Sequence, residues 1–157
     1  MIVADGFREA DLSALIKLLH VEGAEAKPIA PHHGKVNSDK GKDFKVDFML
    51  TTATSVLFDA VFVPGSASTA LQKNANALRF AAEAYRHCKP VAIAVDATFI
   101  KLSGIETAVG KSFKAGKDYA GEGLIYATDS KFLADNFVEA MKQYRFWARE
   151  KQDLPFF

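Results

Sequence analysis

A chain of 157 residues is one domain's worth and long enough to bury a real core. Its 49% hydrophobic and 25% charged residues are ordinary for a globular protein, and 20 Lys and Arg against 19 Asp and Glu leave a net charge of +1. That balance gives no global sign of a nucleic-acid or anionic-membrane partner, the single cysteine (Cys88) excludes an internal disulfide and a multi-cysteine metal site, and no apolar run approaches the roughly 20 residues that span a bilayer.

In chain order the pattern alternates strand and helix. MIVA reads as a short apolar strand ending at the Asp5-Gly6 turn. A mean strand runs roughly 5–6 residues, so the chain is expected to begin inside its first strand, with any targeting information lying outside it. Leu12, Leu15, Ile16 and Leu19 then recur at helical spacing, and Gly23 stands where a C-terminal cap belongs. AEAKPIA suggests a second strand, with Pro28 favouring an edge or a strand end. The polar stretch PHHGKVNSDKGKD and the strand-like FKVDFML together predict a small hairpin around Asp39 to Gly41. DAVFVPGS is the clearest buried strand, and a helix follows from about Ala75 to His87. PVAIAV is the next buried strand and leads into a helix from Thr98. IETAVGKSF and GLIYATD are weaker strand candidates. Ser130 is expected to cap a long final helix through Lys151, its buried stripe formed by Phe132, Leu133, Phe137, Met141, Tyr144 and Trp147. Short apolar strands between amphipathic helices imply a flavodoxin-like, doubly wound, mostly parallel sheet covered on both faces, forming one domain over 1–157.

In such a sheet, sites gather at the carboxyl ends of the strands. Three ends are readable: Asp5 to Glu9, Pro64 to Thr69, and Asp96 to Thr98. At the third, a hydrolase-like elbow would hold Ser or Cys at the tip. Asp96 stands there instead, with the small Ala97 beside it. An aspartate nucleophile needs a base and leaving-group donors, and neither is evident; the favoured reading is a carboxylate capping the following helix. Gly65 in Pro64-Gly65-Ser66 either lends backbone N–H groups to an anion or turns the chain. Cys88 reads as a buried thiol at the far edge, which Lys89 would acidify only if both were exposed. His32 and His33 are adjacent and lack a third ligand at metal spacing, so no metal site is expected. GKVNSDKGKD lacks the ordered phosphate-loop pattern. The 13 phenylalanines should mostly be core, but Trp147, Phe156 and Phe157 near the end of the chain suggest an interface.

DAVFVPGS resembles the Pro-Gly-Gly strand of the PfpI-type intracellular protease superfamily, related to class I glutamine amidotransferases. KPVAIAVDAT falls where that superfamily carries its strand and nucleophilic cysteine, with Asp96 on the cysteine position, and DGFREADL resembles the turn that carries its glutamate, with Arg8 on that position. Both halves of the expected pair are therefore replaced, and a carboxylate cannot carry out the thiol's reaction. VADGFREADLSALIKLLHVEGAEAKPIAPHHGKV, AEAYRHCKPVAIAVDA and MKQYRFWARE resemble more closely the C-terminal domain of large-subunit haem catalases, over essentially the whole chain. This resemblance implies a parent polypeptide that dismutates hydrogen peroxide at haem and forms a homotetramer, the haem lying in the upstream catalase core and not in this domain. It implies no catalytic residue here, only a vestigial cleft around Arg8, Gly65 and Asp96, in which an Arg8–Asp96 ion pair is expected. The expected work is stabilisation, assembly or chaperone-like protection of unfolded client proteins through a Phe-rich surface. A free-standing PfpI-type hydrolase or deglycase and a small-ligand-binding module are the alternatives.

Overall fold

The structure, a computed structural model, describes residues 1–152. Its centre is a sheet of β5 (Val61–Val63), β6 (Val91–Ala94), β8 (Leu124–Ala127) and β7 (Tyr119–Gly121), in the order β5-β6-β8-β7, with only β7 antiparallel. Every residue of β5, β6 and β8 is buried, as expected for parallel strands covered on both faces. Residues 1–3 extend this sheet: Ile2 N–H donates to Phe62 O at 2.9 Å, and Ile2 bridges in parallel to Ile29 of β1 (Ile29–Ala30). β1 in turn pairs with β4 (Phe48–Met49). These hydrogen bonds complete a mostly parallel, flavodoxin-type sheet.

The helices follow from their apolar stripes. α1 (Glu9–Val21) buries Leu12, Leu15 and Leu19 and packs against α6 (Ser130–Lys142), which buries Leu133, Ala134, Phe137 and Val138. Phe137 meets Phe62 of β5 edge-on at 5.4 Å, so this helix pair seals one face of the sheet. α3 (Ala75–Arg86) packs on β6 and starts at Asn74, whose side chain accepts from Ala77 N–H at 3.1 Å. Between β5 and α3 lies α2 (Ala67–Leu71); α4 (Ala97–Leu102) and α5 (Ile105–Val109) follow β6. The hairpin expected near Asp39 is present as β2 (Lys35–Asn37) against β3 (Asp43–Lys45). Ser38 Oγ accepts from Lys40 and Lys42 N–H to shape its turn, and donates to Glu9 at 2.7 Å to hold it at the start of α1.

Several sequence expectations give way to tertiary contacts. FKVDFML does not run as one strand but splits into β3 and β4, and AEAKPIA contributes only the two residues of β1. IETAVGKSF is not a strand: Gly104 (φ 77°) and Gly110 (φ 66°) bracket the helical turns of α5, and β7 takes the sheet edge. The cap of α6 is Asp129, accepting from Phe132 N–H at 2.7 Å, and not Ser130. The same helix stops at Lys142, with Tyr144 left-handed (φ 67°), and a short 3₁₀ segment covers Trp147–Lys151. What diverts the chain is a set of contacts across the sheet edge. Phe146 N–H donates to Cys88 O at 2.8 Å, and the Phe146 ring fills the space a side chain at Gly123 would occupy, a Cβ there falling 2.4 Å from it. The buried Arg149 guanidinium stacks over Tyr85 at 3.9 Å and donates to Lys89 O at 2.7 Å. Consequently Tyr144 and Trp147 are exposed and do not join the core stripe.

Candidate functional site

The three strand ends carry two separate polar assemblies. The first surrounds Asp11, a fully buried carboxylate in the first turn of α1. It accepts from Arg8 Nε (2.9 Å) and Nη2 (2.6 Å), from Gly65 N–H (2.8 Å) and from Ser130 Oγ (2.6 Å). Arg8 Nη2 also reaches Thr128 O at 3.0 Å, so one ion pair ties together the ends of the first strand, β5 and β8. Gly65 is required by proximity: a Cβ there would lie 3.2 Å from Asp11 Oδ2 and 3.3 Å from Arg8 Nε. Arg8 and Gly65 thus sit side by side, but Arg8 pairs with Asp11 and not with Asp96. Arg8 turns to Asp11, which is nearer in the chain and has no other cation. Asp11 went unnoticed in the sequence although the signal was there: it lies at i, i+4, i+8 with Leu15 and Leu19, which places a carboxylate on the buried stripe.

The second assembly surrounds Asp96. Its Oδ1 accepts from Phe99 N–H at 3.1 Å as the N-cap of α4, and its Oδ2 accepts from Gln72 Nε2 at 2.7 Å and Thr69 Oγ1 at 3.5 Å. The capping reading therefore describes its geometry, although Gln72 and Thr69 were not foreseen. Nor is Asp96 the tip of the elbow. The left-handed residue between β6 and α4 is Val95 (φ 64°), one position earlier, while Asp96 has φ −107°. A β-branched side chain at positive φ is a genuine outlier, costing about 1–3 kcal/mol. It is pinned by Val95 N–H on Ala127 O (3.0 Å) and by Tyr126 OH on Val95 O (3.1 Å). Ser66, next to Gly65, is likewise left-handed (φ 64°). These strand ends hold two strained turns, with an isopropyl group at the tip of the second.

Elsewhere the candidates are structural. Cys88 is buried, its Sγ facing Arg86 O at 3.9 Å. Lys89 points away from it, donating to Ser55 O and Phe58 O at 2.7 Å each, and burial holds its ammonium below the usual range. His32 and His33 are exposed, and among the described residues no group of three or more His, Cys, Asp and Glu could hold a metal ion. No helix among those residues is long and apolar enough to cross a membrane. Phe156 and Phe157 lie outside the described residues. None of the described phenylalanines is exposed, so the expected Phe-rich surface is not found there; Val21, Val56, Leu57, Tyr144 and Trp147 supply the larger exposed apolar side chains.

A covered, mostly parallel sheet with helices on both faces defines an α/β domain of flavodoxin type, a fold it shares with proteins of the DJ-1/PfpI kind. Solved structures agree: a ThiJ/PfpI domain protein from Brachyspira murdochii superposes with a TM-score of 0.78 over 90% of this chain and 94% of that one, at 17% identity. DJ-1 of Schizosaccharomyces pombe gives 0.72 over 96% and 95%, at 14% identity. The particular branch is set by sequence. Residues 2–151 match the family described as the C-terminal domain found in long catalases, and the chain belongs to that family. Catalase HPII of Pseudomonas aeruginosa is 34% identical over 152 residues, 96% of this chain, and Catalase-2 of Bacillus subtilis is 27% identical over 95% of it. The chain spans about a fifth of the length of these relatives.

Proposed function

We propose that this chain works as the non-catalytic, C-terminal module of a long haem catalase, supporting the stability and assembly of a homotetramer whose peroxide dismutation takes place in a separate core. The observation that carries this reading is the bare elbow: Val95 stands at the strained tip, while both nearby carboxylates are consumed by fixed partners, Asp11 by Arg8, Gly65 and Ser130 and Asp96 by Gln72 and the start of α4. Among the described residues no thiol stands at the tip, and the hydroxyl that reaches it, Tyr126 OH, is spent donating to Val95 O at 3.1 Å, which argues against the hydrolase or deglycase alternative. Nor do two cavities among the described residues offer what haem needs. The larger cavity, about 650 Å³, has no His, Cys or Tyr in its lining to serve as axial ligand, and the smaller, about 410 Å³, offers only His87, which faces Glu83 at 3.5 Å. The test is removal of these residues from the intact polypeptide. Peroxide turnover at room temperature should survive, and the half-life of heat inactivation should shorten by about fivefold or more. Immediate loss of turnover, or an unchanged half-life, would refute the reading.

A chaperone-like role is a second reading, favoured by the exposure of Leu57 and Trp147, 66% each. Light scattering of a heat-aggregating enzyme, with serum albumin as control, tests it. Suppression at near-stoichiometric ratio beyond the albumin effect supports it, and none removes it.

A further inference from the structure

The strand ends opposite the Arg8–Asp11 knot carry a feature the preceding reading does not use. The 650 Å³ groove opens there, lined by Met1 ahead of the first strand, Asp59 and Ala60 ahead of β5, and Leu19 and Met141 from the last turns of α1 and α6. One large exposed apolar side chain, Leu57, is in its lining, and others lie close along the chain to lining residues. Val21, 80% exposed, closes α1, Leu57 lines the groove, and Tyr144 follows Met141 by three residues. Trp147 lies just beyond, on the segment that Arg145 fastens to Asp59 O at 3.5 Å and Phe146 fastens to Cys88 O. At this edge the charges are already matched within the domain, Glu22 with Lys142 at 3.0 Å and Glu25 with Lys27 at 2.5 Å. A partner therefore needs to bring apolar surface and no compensating charge.

The floor of the groove indicates what that partner is. Met1 N donates to Lys27 O at 2.7 Å, the contact a peptide N–H makes in a parallel ladder, and burial pushes this amine down to about 5. The first strand thus aims any preceding residue into the groove. In the long catalases the family domain is C-terminal and this chain matches about a fifth of the polypeptide; on the module reading, a preceding core would join the domain at this edge. A free dimer of standard size buries roughly 800 Å² per partner. A tethered partner needs less contact, since its effective concentration is on the order of millimolar.

We propose that this groove and its apolar rim dock the catalase core of the same polypeptide, the connecting segment lying along the groove and the core closing over Leu57, Tyr144 and Trp147. The inference rests on the C-terminal-module reading given above. Its test is hydrogen exchange on the intact polypeptide and on the 157-residue chain, after mass and peroxide turnover have established that the intact polypeptide holds a catalase core. Amides of residues 20–27, 56–61 and 142–148 should exchange about tenfold or more slowly in the intact polypeptide, and those of 66–72 and 95–99 equally in both. Equal exchange at the groove, or protection at 66–72 and 95–99 instead, overturns the docking face while leaving the module reading intact. Protection that rises with concentration of the 157-residue chain alone assigns the face to a second copy and also overturns it. Absence of a core overturns both readings together. Leu57→Glu and Trp147→Glu, surface changes that leave the fold alone, should each speed proteolytic release of the domain from the intact polypeptide by about tenfold. Leu102→Glu, away from the groove, should not; equal release from all three overturns the proposal.

Discussion

Replacing Asp11 by alanine should destabilise the domain more than any change at Asp96. The carboxylate is fully buried and accepts four hydrogen bonds, two from one guanidinium and one each from a backbone amide and a hydroxyl. Its loss strands the buried Gly65 N–H, frees the half-buried Ser130 hydroxyl and leaves Arg8 with only Thr128 O. Removing the buried carboxylate, with the part-exposed Arg8 and two further donors left without it, costs about 3–4 kcal/mol. With a urea slope of about 2 kcal/mol per M for a domain of this size, the midpoint should fall by about 2 M. Urea unfolding followed by far-UV circular dichroism reads this directly. Ser130→Ala alone should cost about 1 kcal/mol, and the double variant should fall short of the sum because both changes empty the same site. A midpoint for Asp11→Ala within about 0.5 M of the parent would refute the argument that this knot ties the strand ends together.

Val95→Gly removes a β-branched side chain from positive φ, and after the entropy that glycine brings it should stabilise by about 1 kcal/mol, seen as a higher urea midpoint. Asp96→Ala should cost about 1 kcal/mol as a lost N-cap and leave peroxide turnover of the intact polypeptide unchanged; a lost turnover would make Asp96 catalytic. Burial pushes the Tyr85 phenol up to about 12, against the pull of the Arg149 guanidinium. The unfolded chain therefore releases this proton first, and stability present below about pH 10 should drain away as the pH rises toward 12. Tyr85→Phe should flatten that alkaline slope in pH-dependent denaturation.

The sequence carried the layered architecture because periodicity is local: the apolar runs at β5, β6 and β8 and the stripes of α1, α3 and α6 each follow from spacing alone. It misjudged the end of α6, where the residues through Trp147 kept a helical rhythm. The ring of Phe146 against Gly123 and the stacking of Arg149 on Tyr85 join residues far apart in the chain, and no periodicity reports them. The site was legible in the same uneven way. Positions Arg8, Gly65 and Asp96 could be read from motif order, but which charge meets which depends on side-chain reach in three dimensions. Asp11 won Arg8 because α1 presents both on one turn, and the strain fell on Val95 because β6 ends at Ala94 and Asp96 is already committed to α4.

The bare elbow has a use that chemistry does not exhaust. Val95 is 44% exposed on a tip fixed at both ends by hydrogen bonds, and Cys88, the chain's own thiol, is buried. A cysteine introduced at Val95, and not at the Asp96 position the motif suggests, would be the single accessible thiol of the chain. It would be a rigid attachment point from which a spin label or fluorophore could report the orientation of this end of the domain in a larger assembly.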